Sequence, residues 1–235
     1  MDSELTGGGL SRRALLNQAG GLAAGGAVVM SLAKPRLARA GRTCSDSVQD
    51  IVNLLVAAEA IETTLYWAGI TTPAVFDHID EESQPYVQGA LSSEKVHRDL
   101  LLSLGASLPQ RKFFYPPNTL SGVEQFFAVL LSLEHGGLKA YAAAAARFGE
   151  LGRSDLATLA ARILGVEAEH RVLARDILGK TLPNDLCLEP QAFACVSNVA
   201  PALQPFLDGS NGQTAEIQMP SDMEIADAVG RFRCH

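Results

Sequence analysis

The chain has 235 residues and a formal charge of −7, with 47% apolar and 6% aromatic residues. That length allows one well-buried domain with a small appendage, and an apolar set dominated by alanine and leucine argues against a β-rich fold, which leans on β-branched and aromatic side chains. Residues 1–40 hold five basic and two acidic residues, so the rest of the chain stands at −10; a body that acidic repels phosphate backbones and argues against nucleic acid as a partner.

Residues 1–40 read as a targeting segment, not as part of the fold. Ser11-Arg12-Arg13-Ala14-Leu15-Leu16 looks like a twin-arginine export signal. No charge interrupts Ala14 to Ala33, but Gly20, Gly21, Gly25 and Gly26 weaken that stretch as a membrane helix, which needs about 20 strongly apolar residues. Ala38-Arg39-Ala40 fits a small-residue cleavage site, leaving a mature chain from about Gly41 with no stable membrane span; an uncleaved anchor is the alternative. The signal implies a periplasmic or extracellular protein, exported folded and cofactor-loaded as the cargo of that route often is. In an oxidising compartment Cys44, Cys187, Cys195 and Cys234 are expected to form two disulfides, free buried thiols being the alternative. None is in a Cys-x-x-Cys spacing, which argues against zinc. The expected pairing is Cys187–Cys195 as a local clip, with Cys44–Cys234 tying the tail to the first helix.

The first helix begins near Asp46 or Ser47, either of which is a capping residue. Ile51, Leu54, Leu55, Ala58, Ile61 and Leu65 form its apolar stripe, and Gly69 and Pro73 end it. A second helix is predicted from Pro85 to Leu104, with Gly105 just past its end. The third opens on a Ser121-x-x-Glu124 capping box and runs to about Phe148. The fourth runs from Ser154 to just before Gly179. No strand-like alternation competes. Between helices two and three, the stretch from Gly105 to Leu120 could extend roughly 50 Å, against about 30 Å for a 20-residue helix. It is therefore long enough to leave those two helices parallel, while the short connection near Gly149–Arg153 makes helices three and four antiparallel. The expectation is an all-α four-helix bundle over residues 41–179, with a long crossover between helices two and three. Residues 180–235 are expected to form an irregular tail with one short helix from Ser221-x-x-Glu224 to Gly230.

Two helices carry Glu-x-x-His: Glu94-Lys95-Val96-His97 and Glu167-Ala168-Glu169-His170. Residues three apart share a helix face, so one carboxylate and one imidazole of each motif reach the same ion. A lone glutamate on the preceding helix stands upstream of each motif, Glu59 before Glu94 and Glu134 before Glu167. Each lone glutamate is followed seven residues later by a tyrosine, Tyr66 and Tyr141. The chain thus repeats its ligand pattern, as a two-fold symmetric pair of metal ions requires. All four glutamates lie on apolar stripes, where buried carboxylates need a cation, and two divalent ions balance four ionised carboxylates.

This arrangement resembles the ferritin-like superfamily of bacterioferritins, rubrerythrins and secreted ferritin-like-domain proteins, over about residues 46–178. Such bundles use one Glu from each of two helices and Glu-x-x-His from each of the other two. The resemblance implies Glu59 and Glu134 as terminal carboxylates, Glu94 and Glu167 as bridges, and His97 and His170 as one imidazole per metal. Tyr66 and Tyr141 are implied as outer partners of the ligands, and Glu62, one turn after Glu59, is expected as a further outer partner, an extra metal ligand being the alternative. It also implies two iron or two manganese ions that oxidise Fe(II) or reduce dioxygen or peroxide. The alternative is a non-catalytic metal-binding or stress-protective protein of the same fold, and a homodimer stays open. An enzyme acting on an organic substrate would need a pocket beside the metals. Glu169 and His135 are expected at the surface, and His78 and His235 have no assigned role.

Overall fold

The computed structural model describes residues 44–180, 182–184, 186–189 and 192–232. The expected export signal over residues 1–40, Cys234 and His235 lie outside the described residues. Four long helices dominate: α1 (Val48–Ile70), α3 (Gln84–Ser103), α4 (Val123–Glu150) and α5 (Ser154–Ile177), with a one-turn helix α2 (Pro73–Phe76) after α1. Ser47 caps α1 reciprocally, its hydroxyl accepting from the Asp50 amide while the Asp50 carboxylate accepts from the Ser47 amide. The box predicted at Ser121 does not form. α4 starts from Gly122 with no side-chain cap, because the Ser121 amide donates to Asn118 O in a preceding turn. α4 and α5 are joined by a tight turn in which Gly152 adopts φ +72° and the Arg153 amide donates to Phe148 O at 2.8 Å. Glycine supplies that left-handed conformation without a Cβ clash.

Val52, Leu104, Phe148 and Leu156 meet at one end of the bundle. α1 and α5 therefore leave that end, α3 and α4 arrive at it, and α3 and α4 are parallel as the crossover length predicts. The crossover tracks back along α1. Gln49 donates to Gly105 O, the Ser107 amide donates to the Asn53 side chain, and the Tyr115 hydroxyl donates to Ile61 O. At the far end Phe126 of α4 lies so close to Gly69 that a Cβ there would sit 2.4 Å from its ring, so only glycine admits this packing. α1 is long and apolar enough to cross a membrane, but its most apolar stretch is 83% buried in the bundle, which identifies it as a core helix.

Beyond the bundle the chain is more ordered than its composition indicates. A 3-10 turn (Val196–Val199) leads into α6 (Ala200–Asp208), then a strand and α7 (Asp222–Val229), which starts on the predicted Ser221–Glu224 capping box. The strand, β2 (Ala215–Gln218), pairs antiparallel with β1 (Lys112–Tyr115) of the crossover, Lys112 opposite Gln218 and Tyr115 opposite Ala215. Phe113 and Tyr115 point into the core. This two-stranded sheet corrects the expectation of no strands; four residues are too few to display alternation, and the partner lies about a hundred residues away in sequence.

The predicted disulfides are also corrected. Cys44 pairs with Cys195, with Cα atoms 5.4 Å apart, while Cys187 is an exposed free thiol. The local clip fails because Cys195 is drawn to the start of α1, where the Asp46 carboxylate accepts from the Ser197 amide and the Asp46 carbonyl from Arg147 Nε. The bond closes a loop with a sequence separation of 151. Replacing both residues in a Cys44→Ala/Cys195→Ala variant is expected to cost about 2–5 kcal/mol in urea unfolding; an unchanged midpoint would show that the tail adds nothing to the bundle's stability.

Candidate metal centre

Glu59 of α1, Glu94 of α3, Glu134 of α4 and Glu167 of α5 are each 0% exposed, and His97 and His170 are 5% exposed. Each of the four long helices thus delivers its carboxylate to the bundle interior. The six side chains fall into two overlapping groups, Glu59–Glu94–His97–Glu167 and Glu94–Glu134–Glu167–His170. Within each group one donor atom per residue lies within 4.8 Å of every other. Glu94 and Glu167 belong to both groups, while Glu59 and His97 belong to one and Glu134 and His170 to the other.

Eight atoms of this cluster are buried without a hydrogen-bond partner: Glu59 Oε2, Glu134 Oε2, both carboxylate oxygens of Glu94 and of Glu167, and Nδ1 of His97 and of His170. Orphaned buried polar atoms are rare in folded proteins and costly. Here they are all metal-ligating types aimed at one another. His170 Nδ1 lies 2.6 Å from Glu94 and 3.7 Å from Glu134, and His97 Nδ1 lies 3.3 Å from Glu167 and 3.5 Å from Glu59. Burial, reinforced by neighbouring carboxylates, pushes the Glu59, Glu62 and Glu134 carboxyls well above the usual range. Burial acts against charge on His97, but Glu59, with Glu167 and Glu94, outweighs it and raises that imidazole's pKa. Burial would likewise raise Glu94, and His170 reverses this and holds it low. Two divalent cations would satisfy all eight atoms and balance four carboxylate charges, so the donor set fits them.

The surrounding side chains orient these donors. The two tyrosines cross over: Tyr66 of α1 donates to Glu134 Oε1 on α4 at 2.8 Å, and Tyr141 of α4 donates to Glu59 Oε1 on α1. Each tyrosine therefore fixes the lone glutamate of the other half, a pairing that the seven-residue spacing does not reveal. Ser93 Oγ lies 2.9 Å from His170 Nε2 and 3.0 Å from Ala90 O. That contact holds the imidazole from its Nε2 side, so Nδ1 faces the carboxylates. The position equivalent to Ser93 in the second motif is Val166, which has no such group, so the two halves differ.

The matches to known proteins agree with this geometry. A family model described as a ferritin-like domain matches residues 47–180, more than half of the chain. The chain belongs to the ferritin-like family. No curated protein and no solved structure matches it. The ferritin-like domain spans the four long helices, and the segment from residue 181 onward lies outside the matched range.

Sequence reasoning missed several residues of this ferritin-like bundle. Both motifs extend to Glu-x-x-His-Arg, with Arg98 and Arg171 only 3% and 1% exposed. Arg98 Nη2 donates to Asp222 of α7 and Arg171 Nη2 to Glu189, so each arginine docks the C-terminal segment beside a cluster histidine. The repeated arginine was a visible signal. Gly137 was visible only as a glycine inside a helix: a Cβ there would lie 2.9 Å from Glu167 Oε2, whereas nothing lies near Gly136. Glu62 is buried, stands outside both groups and faces Gly137 and Glu167. Glu169 is exposed and His135 half-buried, so only the first matches its expected surface position; His78 is exposed.

A Gly137→Ala variant separates metal binding from helix stability. Alanine favours the helix by about 1 kcal/mol, yet its methyl displaces Glu167. The metal-free protein is expected to be at least as stable as the wild type, with metal affinity lowered by roughly 10–100-fold in competition titrations. A Gly136→Ala control should keep wild-type affinity, and equal affinity in both variants would contradict this role for Gly137.

Proposed function

We propose that this ferritin-like protein holds two iron or manganese ions and works as a redox dimetal protein outside the cytoplasm. Such ions, when bound, supply the electrons that reduce dioxygen or peroxide, with Fe(II) as a substrate in the ferroxidase form of the reaction. The observation that carries the reading is the sharing of Glu94 and Glu167 between two donor groups that each have their own glutamate and histidine. Glu94 and Glu167 would serve both ions, Glu59 with His97 would hold one, and Glu134 with His170 would hold the other. Oxygen-rich ligation with one imidazole per ion suits iron and manganese better than softer metals. Tyr66 and Tyr141 hold the terminal carboxylates in place, and Glu62 keeps a carboxyl beside Glu167. The Cys44–Cys195 disulfide supports an oxidising compartment, in line with the twin-arginine pattern of residues 11–16.

Protein loaded anaerobically with Fe(II) or Mn(II) is expected to consume dioxygen or peroxide in an oxygen-electrode or stopped-flow assay. Bound metal with consumption of neither would overturn the redox reading in favour of non-catalytic metal binding.

A further inference from the structure

The two halves of the cluster follow one pattern, and the chain departs from it at two places. Glu59, Glu62 and Tyr66 on α1 correspond to Glu134, Gly137 and Tyr141 on α4. Ser93, Glu94 and His97 on α3 correspond to Val166, Glu167 and His170 on α5. The first departure, Glu62 against Gly137, falls on Glu167. Glu167 belongs to both donor groups, so this departure does not distinguish them. The second, Ser93 against Val166, falls on one histidine alone.

Ser93 of α3 reaches across to the motif on α5. Its Oγ lies 2.9 Å from His170 Nε2. The hydroxyl is itself held over the preceding turn of its own helix, 3.0 Å from Ala90 O and 3.2 Å from Gly89 O. The His170 ring is thus fixed from behind, and Tyr66 packs edge to face beside it with centroids 5.8 Å apart. Its Nδ1 lies 2.6 Å from Glu94. His97 has no such support. Among the described residues its polar contacts all run through Nδ1, at 3.3 Å to Glu167, 3.5 Å to Glu59 and 3.8 Å to Glu94. Val166, in the place of Ser93, is half-buried and offers only methyl groups.

This difference bears on metal affinity. An ion held by Nδ1 requires the ring proton on Nε2 and the ring plane aimed at the ion. Ser93 Oγ is placed to accept from that Nε2–H, and it sets the ring plane before any ion arrives. His97 must give up its ring rotation on binding, and ordering a side chain at that moment lowers affinity.

We propose that Ser93 makes the two metal positions unequal. It is the positioning residue of His170, so the place of Glu134 and His170 takes up the first divalent ion and that of Glu59 and His97 the second. The proposal rests on the two-ion reading above and deepens it by giving the ions an order. Partly loaded protein holds its single ion with His170, and the His97 position is the one that exchanges.

Mn(II) tests this without turnover. Metal-free protein is titrated anaerobically with Mn(II) and followed by calorimetry and by the electron paramagnetic resonance of the bound ion. Two steps about tenfold or more apart are expected, with the signal of an isolated ion at one equivalent. Glu59→Ala should keep the tight step, and Glu134→Ala only the weak one. Ser93→Ala should weaken the tight step by about 10–100-fold and leave the weak step unchanged. Ser93→Thr, which keeps the hydroxyl, should restore the tight step. Two ions bound with one common affinity would overturn the order, as would a Ser93→Ala variant that weakens both steps equally or neither. Binding of no ion by the wild type would overturn the two-ion reading itself, and the order with it.

Discussion

Replacing either shared carboxylate, in Glu94→Ala or Glu167→Ala, is expected to empty both metal positions, whereas Glu59→Ala or Glu134→Ala should leave about one ion per chain. The asymmetry follows from membership: Glu94 and Glu167 contribute oxygens to both donor groups, Glu59 and Glu134 to one each. Removing a bridge takes a ligand from each ion and half a unit of compensating charge from each position. Loss of an outer partner alone typically costs 10–100-fold in metal affinity, so loss of a bridging ligand should cost about 100-fold or more at both positions. Metal content after gel filtration, compared across the four variants, reads the difference directly. A stoichiometry of one in Glu94→Ala would mean that the carboxylate serves a single ion and that the two positions are independent.

The metal-free protein is expected to lose stability as pH rises from about 5 to 8. Glu59, Glu62 and Glu134 have folded-state pKa values raised by burial and by neighbouring carboxylates, and the His97 pKa is raised by Glu59 and Glu167 against the effect of burial. A group whose folded pKa exceeds its unfolded value binds more protons folded than unfolded between the two. Stability is therefore highest below the unfolded pKa and is lost as pH rises through that window. For the three glutamates the window opens near pH 4.5, and for His97 near 6.5. Glu94, whose pKa is lowered because His170 outweighs burial, acts oppositely but only below its unfolded value of 4.5. His135, lowered by burial and by Arg171, opposes the trend below pH 6.5. One excess proton corresponds to about 1.4 kcal/mol per pH unit, and several groups act together here. Urea unfolding of chelator-treated protein should show a midpoint that falls between pH 5.5 and 7.5. Metal affinity should rise over the same range, because binding displaces those protons. A midpoint that rises with pH in the metal-free protein would contradict the protonated cluster.

Much of this was legible in the sequence because the features are local and periodic. The four long helices, the parallel pair across the crossover and all six clustered side chains follow from apolar stripes, a linker length and spacings of three residues. What was not legible depends on contacts between distant segments. Tyr66 and Tyr141 look as if they serve their own helices, and only the folded bundle shows each reaching across to the other half's glutamate. The β1–β2 pair joins the crossover to a strand about a hundred residues later. Cys195 is brought to Cys44 by the docking of the C-terminal segment onto α1, which no spacing rule encodes. Gly137 and Ser93 act through the absence of a side chain and through a single hydroxyl, signals too small to separate from helix background. Arg98 and Arg171 are different, since their repetition after each Glu-x-x-His was available in the chain itself.

We propose that one chain carries two metal ions on Glu59, Glu94, His97, Glu134, Glu167 and His170. Metal analysis by plasma mass spectrometry, on protein loaded anaerobically with Fe(II) or Mn(II) and freed of unbound ions, tests it most directly. About two ions per chain, lost in a Glu94→Ala/Glu167→Ala double variant, is the predicted result. No retained metal in the wild type would contradict it and would make the six side chains a hydrogen-bonded polar core.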